Sequence, residues 1–183
     1  EPSESPSHSP STSDNAPALL PFPRRVIWTG QDFYLERPLQ VTYPSGADRA
    51  IRQVADRLAE QVQRHATGTV RVQSEEQVSP GARGIRLLLD DGPIGLANPE
   101  EGYRLRVEKE AVHLEATSAT GLFWGTQTLC QLLVGRKKDA PVSGCEIEDW
   151  PAFKVRGVMH DTGRNYIGHM RRNGARYVPV GLL

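Results

Sequence analysis

The chain has 183 residues, 38% of them hydrophobic, which is enough for one full domain with an ordinary core and part of another. Its 22 acidic and 22 basic residues cancel, so no global field gathers nucleic acid or an anionic membrane, and neither is an expected partner. No apolar run reaches the roughly 20 residues of a membrane helix. With Glu1 first and neither a basic nor an apolar leader behind it, any targeting segment is expected to have been removed already.

Residues 1 to 18 open with "EPSESPSHSPSTSDNAP", a Ser/Pro composition that cannot bury enough surface to offset its ordering entropy. The stretch reads as a disordered linker and favours export, to the extracellular space or the periplasm. From Leu19 the chain packs aromatic and β-branched residues between turn signals, which predicts short strands near Ile27, Phe33 to Leu35 and Leu39 to Tyr43. Ile51, Val54, Ala55, Leu58 and Val62 then fall three and four apart with charges between them, the pattern of a helix burying one face, with Ser45 as N-cap and Gly68 as stop.

Next, "TVRVQ" and "GIRLLLDD" read as strands. Tyr103, Leu105 and Val107, then Val112 and Leu114, alternate about a turn at Lys109 to Ala111, a hairpin with one wet face. A second helix follows, with Leu122, Gly125, Thr126, Leu129 and Leu133 on one side, where Gly121 and Gly125 allow close approach to the sheet. The order β-α-β-β-β-β-α with hairpin signals predicts an α+β fold, an antiparallel or mixed sheet with two helices on one face. A linker-like break at 135–144 and "CEIEDWPAF" lead into "KVRGVMHDTGRNYIGHM", in which Val155 to His160 reads as a buried strand.

Residues able to carry chemistry are sparse. Cys130 and Cys145 could pair once, but they match no metal or redox spacing and read rather as free buried thiols. Glu75-Glu76, Asp90-Asp91 and Glu100-Glu101 sit beside turn signals and read as solvated loop charges. His8, His65, His113, His160 and His169 are dispersed without ligand spacing, so neither a metal nor a cofactor is expected.

The stretch "EGYRLRVEKEAVHLEATSATGLFWGTQTLCQLL" resembles the N-terminal accessory domain of the family 20 glycoside hydrolases, the β-N-acetylhexosaminidases. There a glutamate precedes a Tyr-containing strand, a hairpin follows, and a helix reads Gly-Phe-Tyr/Trp-Gly-x-Gln-Thr-Leu-x-Gln-Leu. Gly121, Phe123, Trp124, Gly125, Gln127, Thr128, Leu129, Gln131 and Leu132 fit that helix in order. "LLPFPRRVIWTGQDFYL" is similar to the family's Pro-x-Pro opening, and "IEDWPAFKVRGVMHDTGRNY" to its Ile-x-Asp-x-Pro-x-Phe-x-x-Arg-Gly-x-Met-x-Asp-x-x-Arg segment.

The resemblance implies that residues 19–149 form the accessory domain, that 150–166 hold the first strand of a (β/α)8 catalytic barrel, and that the arginine matching Arg164 hydrogen-bonds hydroxyls of a terminal N-acetylhexosamine. It also implies substrate-assisted chemistry, in which the sugar's acetamido oxygen attacks its own anomeric carbon, an aspartate orients that group and a neighbouring glutamate protonates the leaving oxygen. That Asp-Glu pair belongs to a later barrel strand. A barrel takes about 250 residues, so the truncated barrel start is expected to be inactive alone, with a separate catalytic barrel and its glycans as partners.

Residues 167–183 depart from the family and read as an atypical tail, with Val155, Val158 and Met159 expected to expose apolar surface. Two other readings stand beside the accessory domain. One is a carbohydrate-binding module using Trp28, Tyr34, Tyr43 and Tyr103; the other is a truncated product without a function of its own.

Overall fold

The spacing of Ile51, Val54, Ala55, Leu58 and Val62 produces helix α1, Arg49–Gln63, in the computed structural model of the chain, which describes residues 17–35, 38–78, 83–90, 96–134 and 140–157. Its start is not Ser45. Gly46 turns the chain at φ +71°, Ala47 N–H donates to the Pro44 carbonyl at 3.1 Å, and the Asp48 carboxylate caps the helix by accepting from Ile51 N–H at 2.9 Å. A left-handed backbone cannot continue a right-handed helix, so the cap falls after Gly46. The stop likewise precedes Gly68: Gln63 ends the helix and bridges onward, donating to the Gly68 carbonyl at 3.1 Å and accepting from Val70 N–H at 2.9 Å.

The strands are β1 (Arg25–Trp28), β2 (Leu39–Tyr43), β3 (Val70–Ser74), β4 (Gly84–Leu89), β5 (Tyr103–Val107), β6 (Ala111–Ala116) and β7 (Cys145–Asp149), in the spatial order β1-β7-β5-β6-β4-β2-β3. The sheet is mixed. β3, β2, β4 and β6 run parallel, whereas β1, β7, β5 and β6 alternate in direction. Among the described residues, of the expected hairpins only β5–β6 forms, closed by Glu108 N–H on the Ala111 carbonyl at 3.0 Å. The β2–β3 connection carries α1 and makes a parallel pair, as a crossover through a helix does.

Two further expectations change. Phe33 to Leu35 makes no strand but one bridge, Phe33 with Val142, because the Asp32 carboxylate takes the Gly144 N–H at 2.9 Å and so diverts the next ladder bond. β7, overlooked as a lead-in, is a full strand. Its Cys145 and Ile147 face the core while Glu146 and Glu148 face outward, and it pairs with both β1 and β5.

Helix α2, Ala119–Leu133, is capped by the Ser118 hydroxyl, which accepts from Gly121 N–H at 3.0 Å. It packs on β5 and β6, α1 packs on β2 and β3, and the helices touch each other, so both cover one face of the sheet. The core lies between those layers: Leu39, Val41, Ile85, Leu87, Leu105, Leu114 and Ile147 from strands, and Leu58, Leu122, Leu129 and Leu132 from helices. The small residues of α2 are what permit this. A Cβ at Gly125 would come within 3.0 Å of the Tyr103 ring and closer still to Leu114.

The chain divides into two compact units, Glu1–Pro151 and Ala152–Leu183. Of the second, residues 152–157 are described. They form no strand, and Phe153 and Val155 are exposed. The predicted barrel strand is therefore not seen at Val155 to Gly157, where no backbone partner builds a ladder, and Val158, Met159 and His160 lie outside the described residues.

Candidate functional site

The predicted sugar ligand, Arg164, lies outside the described residues, as do His8, His160, His169, Asp91 and the tail 167–183. The remaining acid pairs are surface charges. Glu75 and Glu76 open an exposed 3₁₀ turn, Glu75–Gln77, and Glu100 is exposed in the turn before β5. Among the described residues no three His, Cys, Asp or Glu side chains group so as to hold a metal ion.

Cys130 and Cys145 are both free, Cys145 fully buried and Cys130 partly so. Burial first, then the charges of Asp32 and Glu146, push the Cys145 thiol up to about 12, which keeps it protonated and inert. Of the four aromatics considered for sugar stacking, Tyr103 is buried, and Trp28 and Tyr43 pack on the core. Tyr34 alone of the four is exposed, and one ring makes no stacking platform.

Three features remain. The open face of the sheet carries a row of alternating charges: Arg25 to Glu148 at 3.2 Å, Glu148 to Arg104 at 2.9 Å, Arg104 to Glu115 at 3.7 Å, and Glu115 to Arg106. Burial would raise the Glu148 carboxyl, but hydrogen bonds and charge from Arg104 and Arg25 outweigh it and hold it below its usual range. Each carboxylate in the row is paired with two arginines, an arrangement that suits a wetted face.

The second feature is the outer side of α2. Trp124 is 40% exposed with Phe123 edge-on at 5.1 Å, and Val134 lies beyond the last turn. Gln131 on this helix clamps the N-terminal segment, accepting from Leu20 N–H at 2.8 Å and donating to the Leu20 carbonyl at 3.0 Å. The clamped segment bears Leu20 and Phe22, 84% and 65% exposed.

The third is a polar knot where the chain leaves the domain. Tyr103 and Asp149 are direct partners across β5–β7. The Tyr103 hydroxyl meets Thr128 Oγ1 at 2.5 Å. The Asp149 carboxylate accepts from Arg24 N–H at 3.2 Å, and the Arg24 guanidinium lies 5.9 Å from the Trp150 ring centroid. Half-burial nonetheless raises the Asp149 carboxyl, and burial raises the Tyr103 phenol, which stays a neutral donor.

This architecture is shared with known enzymes. Residues 16–150 match the model of glycosyl hydrolase family 20, domain 2. The chain belongs to that family.

Among family 20 relatives, it is 28% identical over 156 residues to a β-hexosaminidase of Porphyromonas gingivalis, covering 81% of this chain and 19% of that one. It is 27% identical over 162 residues to the mouse β-hexosaminidase subunit beta, covering 82% and 30% respectively. Among solved structures, the family 20 β-N-acetylhexosaminidase of Streptomyces coelicolor A3(2) superposes with a TM-score of 0.64 at 30% identity, over 86% of this chain and 32% of that one. The Streptomyces plicatus N-acetyl-β-hexosaminidase superposes at 0.62 with 28% identity, over 88% and 34%. The chain thus spans a fifth to a third of the length of these relatives. Each of the three motif segments that resembled family 20 contributes described residues to the second or third feature. Leu20 to Arg24, Tyr103, Thr128 with Gln131, and Asp149 are brought together from across the chain, which their separate positions in the sequence did not reveal.

Proposed function

We propose that this chain supplies the non-catalytic N-terminal accessory domain of a β-N-acetylhexosaminidase, an exported enzyme that removes terminal N-acetyl-β-hexosamine residues from glycans by substrate-assisted catalysis. In that enzyme Arg164 binds sugar hydroxyls, and the adjacent Asp-Glu pair comes from the catalytic barrel. The accessory domain buttresses the barrel and does not touch sugar.

The observation that carries this reading is the apolar outer side of α2. Trp124, Phe22, Leu20 and Val134 are exposed on one short stretch of helix and the segment clamped to it. A helix face meant for water carries charges instead, as α1 does. The family match and the chain's one-fifth to one-third share of its relatives' length point to the missing barrel as the cover.

The test is hydrolysis of a chromogenic N-acetyl-β-glucosaminide by the 183-residue chain and by a longer form that includes a barrel. The longer form is expected to turn over and the short chain to be silent. Turnover by the short chain, or none by either, overturns the proposal.

A further inference from the structure

The open face of the sheet holds a basic group that its row of ion pairs does not use. Glu115 and Glu148 are shared among Arg25, Arg104 and Arg106, which leaves Arg86 on β4 without a carboxylate. Arg86 is half-buried, and among the described residues its guanidinium has neither a hydrogen-bond nor an ion-pair partner. Drawing a charge partly out of water without an acceptor is unfavourable, and a guanidinium offers five N–H donors in a planar fork.

The neighbours of Arg86 in its row can donate too. The register sets Thr42 of β2 against Arg86 on one side and His113 of β6 against it on the other. Alternation puts all three on the open face, since Val41, Ile85, Leu87, Val112 and Leu114 belong to the core. Adjacent strands lie about 4.8 Å apart, so the three side chains stand within reach of one small group. Thr42 is only 5% exposed, yet neither its hydroxyl nor the His113 ring has a hydrogen-bond partner among the described residues. Buried hydroxyls are seldom left so.

We propose that Thr42, Arg86 and His113 form a binding site for a tetrahedral oxyanion of the sulfate or phosphate type. The Arg86 fork donates to the anion, the Thr42 hydroxyl donates to a second oxygen and the His113 ring to a third. Donors converging from three strands suit an anion whose oxygens point in several directions better than a flat carboxylate, which one guanidinium fork already fills. Facing His113 are Arg86 and Arg106 across the ladder, with Glu108 and Glu115 near it. An anion between His113 and Arg86 favours the imidazolium, so binding tightens as the ring takes up a proton. The site lies within the sheet and does not depend on the proposed function.

Sulfate keeps its charge over the range in which histidine titrates, and it is the probe. In NMR titrations of the 183-residue chain, with ionic strength held constant by chloride, sulfate is expected to saturate one site, shifting the His113 ring and binding more tightly below pH 6.5 than above it. Arg86→Gln is expected to weaken sulfate about tenfold or more, the loss of a charge-assisted pair. Thr42→Val, which keeps the side-chain shape, and His113→Gln should each weaken it severalfold, and His113→Gln should also remove the pH dependence. Arg25→Gln, on the same face but paired with Glu148, should bind as the parent does. Phenyl sulfate separates two sources of the anion: binding like that of sulfate assigns an anionic group on a larger molecule, and exclusion assigns the free ion. Absence of saturable sulfate binding overturns the inference. So does equal binding by the parent and Thr42→Val together with Arg86→Gln or, should that variant not fold, Arg86→Lys.

Discussion

The two helices bury similar inner faces and present opposite outer ones. α1 turns Ile51, Val54, Ala55, Leu58, Ala59 and Val62 inward and leaves Arg49, Arg52, Asp56, Arg57 and Glu60 in water. α2 turns Leu122, Leu129, Leu132 and Leu133 inward and leaves Trp124 at the surface, with Phe123 half-buried against the core and Gln127 and Gln131 also on the outer side. The inner faces are set by a common requirement, a dry contact with one sheet. The outer faces differ in chemistry: that of α1 is charged, whereas that of α2 carries an exposed Trp124, and apolar side chains gain nothing from water.

The inner faces should therefore respond alike. Leu58→Ala on α1 and Leu129→Ala on α2, both about 1% exposed, are each expected to cost about 2–5 kcal/mol, measured by urea unfolding of the chain. A difference of several kcal/mol between them would mean that the layers are not one core. Adding volume breaks the symmetry. Gly125→Ala is expected to cost about 1–3 kcal/mol because the methyl meets Leu114 and the Tyr103 ring, whereas α1 has no glycine on its buried face.

The caps return to symmetry at a smaller scale. Asp48→Ala and Ser118→Ala each remove one acceptor from a helix N-terminus and should cost about 1 kcal/mol. Smallest in stability, and sharpest for the comparison, are the outer faces. Arg57→Gln and Trp124→Gln should each change stability by no more than about 1 kcal/mol. Only Trp124→Gln should lower binding of a fluorescent apolar dye to the folded chain; equal dye binding in both variants would remove the contrast between the faces.

Acid should weaken the fold through the open face of the sheet. His113 on β6 faces Arg86 of β4 and Arg106 of β5 across the ladder, with Glu108 and Glu115 near it. Burial first, then the two arginines, hold its imidazole below the ordinary 6.5 despite the glutamates. The unfolded chain then binds the proton more readily, so the stability contributed by the neutral ring is present above pH 6.5 and is lost as pH falls below it. Glu148, held low by Arg104 and Arg25, acts with the same sign at lower pH, from its ordinary 4.5 downward. Urea midpoints from pH 8 to 5.5 should fall in the parent and flatten in His113→Gln.

Much of the fold was legible where a periodic pattern coincided with a single local cause. Tyr103, Leu105 and Val107 against Val112 and Leu114 gave the β5–β6 hairpin, and the three- and four-residue spacing gave both helices. The same reading failed at Ser45, because a cap is decided by where the backbone can turn, and Gly46 takes that turn one step later. It also missed β7, whose Cys-Glu-Ile-Glu alternation is a usable strand signal but a short one beside a predicted break.

Composition and periodicity by themselves determined an α+β domain with two helices on one face of a sheet, and the motif segments determined its family, because both are properties of side chains in order along the chain. Which strands run parallel, the insertion of β7 between β1 and β5, the clamp of Gln131 on Leu20 and the meeting of Arg24, Tyr103, Thr128 and Asp149 were decided by tertiary structure alone. The physical reason is that these pairings join residues as many as 125 positions apart, where no local propensity acts. They form only once the closed sheet brings these segments side by side.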